Sequence, residues 1–386
     1  MKMKIVYVYP ILAHLAGTER VITDKMNYLA DNAGYEVYLL TYEQGSHRLS
    51  FPLSSKIRHV DLDVRFFPLY NYNRFTRWYK ELVLRKLLRK KFKVFIGEIS
   101  PDIVIAPTYY VDAISIIAEC PGNFVRILES HIDKRFILAN DPVNNRGFLK
   151  RIRTSLEQCI GTRYSRRFDL LVALSQNDAD DWSKYLKTTV IPNVVHLQEG
   201  GVYSQLVNKR VIFAGRLMEQ KGIFDLLKIW EMIHRLHPDW YLDLYGEGEL
   251  RERVVLKATQ QQINLRVHEP TDDILKEFCE SSIFILTSLY EPFGLVLVEA
   301  MSCGLPVVSF DCPYGPSNII HDGEDGFLIP DRDISLFVKR VCELMESFEL
   351  RKKMGRKGIQ SSKRYSQDEI MPQWINLFNN LIEKKS

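Results

Sequence analysis

Residues 288–310, SLYEPFGLVLVEAMSCGLPVVSF, decide how this chain folds. Leu295, Val296, Leu297, Val298, Ala300 and Met301 form an apolar helical run behind Pro292-Phe293-Gly294. A helix apolar nearly all round is covered on both sides, and the strand-like run after it makes half of a βαβ unit. Glu291 before the helix and Glu299 inside it interrupt that surface, and a charge is seldom buried without a partner. Eight residues of helix rise about 12 Å, so the two carboxylates are expected to hold opposite ends of one elongated polar ligand. The amides of Gly294, Leu295 and Val296 stand at the helix start, where a phosphate is favoured. The plainer alternative is a buried strand and helix with charges on the rim.

Outward from this stretch the same unit recurs. Short apolar runs at 4–9, 36–41, 102–106, 124–128, 170–174 and 189–191 alternate with helical patterns, and so do runs at 210–214, 241–245, 265–267, 283–287, 306–309 and 327–329. Such alternation predicts α/β folding with two doubly wound, parallel, Rossmann-like sheets. IPNVVHLQEGGVYSQLVNK, with its Pro, paired Gly and polar tail, reads as the link between them. The expected domains are 1–195 and 196–364, followed by an amphipathic helix at 365–386 that is placed back on the first domain. Ligands collect at the carboxyl ends of strands in such sheets, so the two domains are expected to face each other across a cleft.

The length of 386 residues exceeds one ordinary core. No run of eighteen apolar residues occurs, so no membrane span is expected. The start MKMKIVYVYPILAHLAG has the basic and apolar regions of a signal peptide. It reads better as a first strand, because Thr18-Glu19-Arg20 is no small-residue cleavage site; a cytoplasmic location is expected. Six scattered cysteines with no C-x-x-C pair signal neither a disulfide framework nor a zinc site.

The formal charge of +4 is uneven. Residues 1–195 hold 29 Lys and Arg against 20 Asp and Glu, while 196–386 hold 23 against 28. Segments 77–93 and 146–167 concentrate the excess. In YKELVLRKLLRKKF, Leu82, Leu84, Leu87, Leu88 and Phe92 fall near helical spacing, which fits an anionic membrane surface as partner or a solvated helix packing one stripe on its own domain. No nucleic-acid motif accompanies the basic residues.

Four local patterns point to the strand ends. In HLAGTER, Gly17 at a strand-to-helix turn permits close approach of backbone to a ligand. In VIFAGRLMEQKGIFDLL, Arg216 and Lys221 flank a loop at the end of a strand and suit a diphosphate. In FVRILESHIDKRF, His131 follows a strand, where an isolated histidine is more often structural than catalytic. LVALSQND, VIPNVV and YLDLYGEGEL each end a strand with small or polar residues.

Together these motifs resemble glycosyltransferase family 4, retaining enzymes of the GT-B fold. GRLMEQKG is similar to that family's G-R-L-x-x-x-K-G loop, and EPFGLVLVEAMSCGLPVV to its Glu–seven residues–Glu motif. VIPNVV, ALSQND and DGEDGFLI also match recurrent family segments. The resemblance implies that Arg216 and Lys221 bind the donor diphosphate and that Glu299 accepts from ribose hydroxyls. Glu291, with amides near Phe293, Gly294 and Leu295, would hold the transferred sugar; Gly17 would line the diphosphate, and His131 would stand near the sugar. It departs from the family in having Ala16-Gly17 where two glycines are common, and Asn318 where an acid is common.

The expected activity is therefore transfer of a hexose or N-acetylhexosamine from a nucleotide-diphosphate sugar, of UDP type, to a lipid-linked bacterial surface glycan. Capsule, O-antigen and exopolysaccharide assembly supply the nearest resemblances. No cofactor is expected beyond the donor itself, and no metal, since no Asp-rich cluster is present. A sugar-nucleotide epimerase, a phosphorylase and a non-catalytic assembly subunit are the alternatives. A nicotinamide dehydrogenase is disfavoured, because no G-x-G-x-x-G follows either first strand.

Overall fold

The computed structural model describes residues 2–13, 16–132 and 162–385. The chain divides into two units, Met1–Pro192 with Met371–Ser386, and Asn193–Ile370.

In the first unit, apolar strands buried on both faces form a wholly parallel sheet, as continuous rather than alternating runs require. Among the described residues it runs β3 (Arg58–Asp61), β2 (Glu36–Thr41), β1 (Lys4–Tyr9), β4 (Ile103–Pro107), β5 (Val125–Glu129), β6 (Leu170–Ala173), β7 (Thr188–Val190). Ile5 pairs with Val37 on one side and Ile103 on the other. The strand order therefore reverses between β1 and β4. β3, RHVD, is an edge strand with an exposed start and no apolar run, which is why sequence patterning omits it.

The second unit repeats the plan with β10 (Leu265–His268), β9 (Tyr241–Tyr245), β8 (Arg210–Ala214), β11 (Ile283–Leu286), β12 (Val307–Phe310) and β13 (Gly326–Ile329), again all parallel. Its order reverses between β8 and β11. In an open α/β sheet that crevice is where ligands bind.

The helix Gln367–Glu383 passes from the second unit into the first, where Met371, Trp374 and Phe378 are buried. The helix Arg74–Ile99 corrects one expectation. Leu88 and Phe92 are buried with Phe95 and Ile96, but Leu82 and Leu87 face outward. The leucines thus belong to two faces rather than one stripe. Cys120, Cys279, Cys303, Cys312 and Cys342 are free thiols; Cys159 lies outside the described residues. No helix among the described residues is long and apolar enough to cross a membrane.

Candidate active site

The loop after β8 is bent by its glycines. Gly222 has φ +62°, and a Cβ there would meet the Thr287 carbonyl oxygen at 1.9 Å, so only glycine lets these two loops touch. The contact continues on either side. Thr287 Oγ1 donates to the Lys221 carbonyl at 3.0 Å, and Leu289 N–H to the Gln220 carbonyl at 2.8 Å. Lys221 and the loop after β11 are thereby locked together at the point of strand reversal.

Lys221 Nζ donates directly to Glu291 Oε1, with both side chains largely buried. Ser288 Oγ donates to the same oxygen at 2.6 Å. Among the described residues, Oε2 is the Glu291 oxygen left to accept from a ligand. The two groups assigned to opposite ligand parts are thus in contact, and the cation's charge is already balanced when no anion is bound. Arg216 is exposed; among the described residues its guanidinium has one hydrogen bond, to Gln220 Oε1 at 3.4 Å, and is otherwise left for solvent or ligand.

The helix begins at Leu295, with Gly294 as its cap at φ +100°. Glu291, Pro292 and Phe293 precede it as loop, so the helical rise estimated across 291–299 does not apply. Glu299 lies in the second turn, half-buried and partnered within the protein. The amides of Leu295 and Val296 have no acceptor one turn back, as at every helix start, whereas Leu297 N–H already donates to the Gly294 carbonyl at 3.0 Å. Phe293 is buried edge-on against Tyr365 at 5.3 Å, so its ring is structural and only its backbone is placed for a ligand.

A third loop fixes the second. Gly315 N–H donates to the Glu291 carbonyl at 2.7 Å, and Tyr314 pairs with Glu291 as a parallel bridge. Tyr314 is held at φ +79°, rare for a bulky residue and an instance of strain beside a candidate site. Asn318 Nδ2 donates to the Tyr314 carbonyl. The side chain at the position noted as atypical for the family therefore supports this strained turn.

Arg332 was invisible to motif reasoning. It donates to the Thr287 and Ser288 carbonyls at 3.1 and 2.5 Å, pairs with Asp225 at 2.7 Å, and covers the Phe310 ring at 4.1 Å. A planar guanidinium with several donors suits such bridging. The DRD sequence around it carries no local signal of these distant partners.

In the first unit, Gly17 is the first residue of the helix Gly17–Asp31 and does not use the left-handed region. Backbone freedom is therefore no reason for glycine there. His131 follows β5 at a bend and is buried, with Nε2 2.9 Å from Glu129 Oε2. Glu129 Oε1 accepts from Lys25 Nζ at 2.6 Å. Burial pushes the Glu129 carboxyl up, but the Lys25 charge and the His131 contact outweigh it and hold the pKa at about 2. Burial lowers Lys25, against the opposing pull of Glu129. Neither Lys25 nor Glu129 was singled out by sequence. Among the described residues, no group of three His, Cys, Asp or Glu side chains converges in a way that would hold a metal ion.

Comparison with known proteins adds the following. The family model for glycosyl transferases group 1 matches residues 205–361, and that for glycosyltransferase family 4 matches 15–199. An uncharacterized glycosyltransferase of Haemophilus influenzae is 27% identical across 93% of this chain and 95% of its own. The amylovoran biosynthesis glycosyltransferase AmsD of Erwinia amylovora is 26% identical across 95% of this chain and 97% of its own. In fold, the chain is similar to a variant of S. aureus TarM solved with UDP, fondaparinux and α-GlcNAc-glycerol. The TM-score is 0.75 at 15% identity, over 98% of this chain and all of that one.

Proposed function

Since the chain belongs to glycosyltransferase family 4 and has the GT-B fold, we propose that it moves a hexose or N-acetylhexosamine from a UDP-sugar onto a bacterial surface glycan. One observation carries this reading: Lys221 meets Glu291 where the β8 and β11 loops cross, beside a helix start. A cation, a carboxylate with one open oxygen and a row of amides are thus gathered at the strand reversal of one unit. The pairing suits a ligand that is anionic at one end and hydroxylated at the other. The relative named for amylovoran biosynthesis, and the UDP in the TarM structure, support the same choice.

In the proposed reaction the second unit binds the donor and the first takes a lipid-linked acceptor. The bond from the anomeric carbon to a β-phosphate oxygen breaks, and a bond to the acceptor oxygen forms on the same face. The acceptor's proton passes to the departing phosphate, and configuration is retained. Arg216, Lys221 and the amides at Leu295 offset charge on the leaving diphosphate; no resident metal is invoked. Glu291 Oε2 accepts from the sugar, Glu299 from ribose, and His131 acts beside the sugar.

A panel of nucleotide sugars, read by ligand-dependent melting shift, tests the donor. Glu299→Ala is expected to weaken the best ligand by about 1.5–3 kcal/mol, the range for hydrogen bonds to a charged group. Unchanged affinity in titration calorimetry removes Glu299 from the site.

The helix Arg74–Ile99 supports an acceptor delivered from a membrane. Phe75, Tyr79, Leu82 and Lys86, at i, i+4, i+7 and i+11, share its outer face, and Phe75 is 79% exposed. Lys90 and Lys93 extend that face with positive charge. An aromatic and basic face fits the anionic headgroup layer; of the basic segment 146–167, only 162–167 are among the described residues. The protein is expected to co-sediment with vesicles containing phosphatidylglycerol but not with pure phosphatidylcholine. Phe75→Ala with Tyr79→Ala should lower the bound fraction several-fold, and equal binding by that variant defeats the assignment.

A further inference from the structure

The first unit buries an ion pair. Lys25 and Glu129 are 3% and 2% exposed, and Lys25 lies on a helix face shared with Ile22, Met26 and Leu29. An apolar pair in such a place is usually neutral or stabilising by comparison. The ammonium is further enclosed by the Trp374 ring at 3.9 Å and the Tyr7 ring at 5.5 Å. The expense of burying it points to a task, and the geometry points to His131.

Glu129 divides its two oxygens, one to Lys25 and one to His131 Nε2. An ionised carboxylate only accepts hydrogen bonds, so Nε2 must carry the proton. In neutral imidazole the other nitrogen is then an acceptor. That nitrogen, Nδ1, is buried and has no partner among the described residues. The backbone just before the ring is pinned as well. Thr108 N–H donates to the Glu129 carbonyl at 3.0 Å, and Ser130 N–H to the Val172 carbonyl at 2.9 Å. Among the described residues the ring therefore has one committed edge and one without a partner.

We propose that Lys25 and Glu129 are positioning residues: they hold His131 as the Nε2–H tautomer, so that Nδ1 is the atom that accepts from a sugar or acceptor hydroxyl. The proposal rests on the reading of His131 as a residue of the transfer site. No bond is made or broken by the triad; the positive charge of Lys25 keeps Glu129 ionised, and Glu129 keeps the ring in one tautomer. The outer partners of metal-ligating histidines act this way, fixing tautomer and ring angle together, and in any histidine the hydrogen bond at one ring nitrogen sets the state of the other.

The test joins a spectrum to kinetics. Protein labelled with ¹⁵N-histidine, with His131→Asn to assign the signal, reports the tautomer without any ligand. Wild type is expected to show an unprotonated Nδ1, and Glu129→Gln a protonated one, because the amide oxygen must face the Lys25 ammonium and its NH2 then donates to Nε2. Glu129→Gln should also lower kcat by about 10- to 100-fold, the range for removing such an outer partner. Donor KM should stay within about twofold, since the loss does not touch ground-state binding. The assay follows whichever of UDP-glucose, UDP-galactose and UDP-N-acetylglucosamine is turned over or slowly hydrolysed.

Because a lone buried charge threatens folding, Lys25→Met combined with Glu129→Gln serves as the second variant, removing both charges at once. It should fold, lose the single tautomer and share the kcat defect. An Nδ1–H tautomer in wild type, or wild-type kcat in the double variant, overturns the proposal. If UDP fails to bind or no UDP-sugar reacts, the proposed function fails instead, and the ligand-free spectrum still decides whether the ring is held.

Discussion

Replacing Lys221 with methionine is expected to destabilise the second unit by about 3–5 kcal/mol, the cost of stranding one member of a buried ion pair. Glu291 is 5% exposed and, among the described residues, would keep Ser288 alone as a donor to its charge. The same substitution removes a cation from the proposed diphosphate site, so UDP affinity should fall as well. Lys221→Met with Glu291→Gln separates the two effects. Its melting temperature should return toward that of the wild type, because both charges have gone together, while the loss of UDP affinity persists. Thermal unfolding with and without UDP reads both quantities. A Lys221→Met protein that melts like the wild type would mean that the pair does not hold the β8 and β11 loops together.

Gly315→Ala should damage the site through the backbone alone. Gly315 does not occupy the left-handed region, so conformation is no obstacle; space is. An added Cβ would stand 2.1 Å from the Phe293 carbonyl oxygen and 2.8 Å from that of Glu291. The segment bearing Glu291, Phe293 and Gly294 must move away, and its hydrogen bond from Gly315 N–H must lengthen. Overpacking of this kind costs about 1–3 kcal/mol of stability. The expected loss in UDP affinity is at least tenfold, about 1.4 kcal/mol, since the amides and carboxylate that would grip the ligand shift together. Gly323→Ala is the control: φ is +75°, yet nothing lies within 4 Å, so strain is introduced without displacing the site. Equal UDP binding by Gly315→Ala and Gly323→Ala would show that the third loop does not set the geometry of the second.

What the sequence disclosed follows from the range of the forces involved. The buried parallel strands were legible because IVYVY, IFIL and VVSF are continuous apolar runs with turn residues at their ends. The edge strand β3 was not, since RHVD has neither. The outward leucines of the helix Arg74–Ile99 misled because spacing alone does not say which face meets the core. Arg216, Lys221 and Glu291 in loops, and Glu299 in a helix, could be named from local chemistry. The direct pairing of Lys221 with Glu291 could not, because it joins loops 70 positions apart. Lys25 with Glu129, 104 positions apart, is the same case. Asn318 stood out only as an oddity, and its support of the Tyr314 turn needed the fold to show it.

The helix Gln367–Glu383 has a consequence for how the chain is made. The second unit is continuous in sequence, but the first is completed only by residues from Met371 onward, which seat Trp374 over Lys25. During synthesis, at about 5–20 residues per second, residues 193–370 emerge whole while their predecessor still lacks its closing piece. The later-encoded body is therefore free to mature first on the ribosome, and the earlier one waits for the residues from Met371 onward.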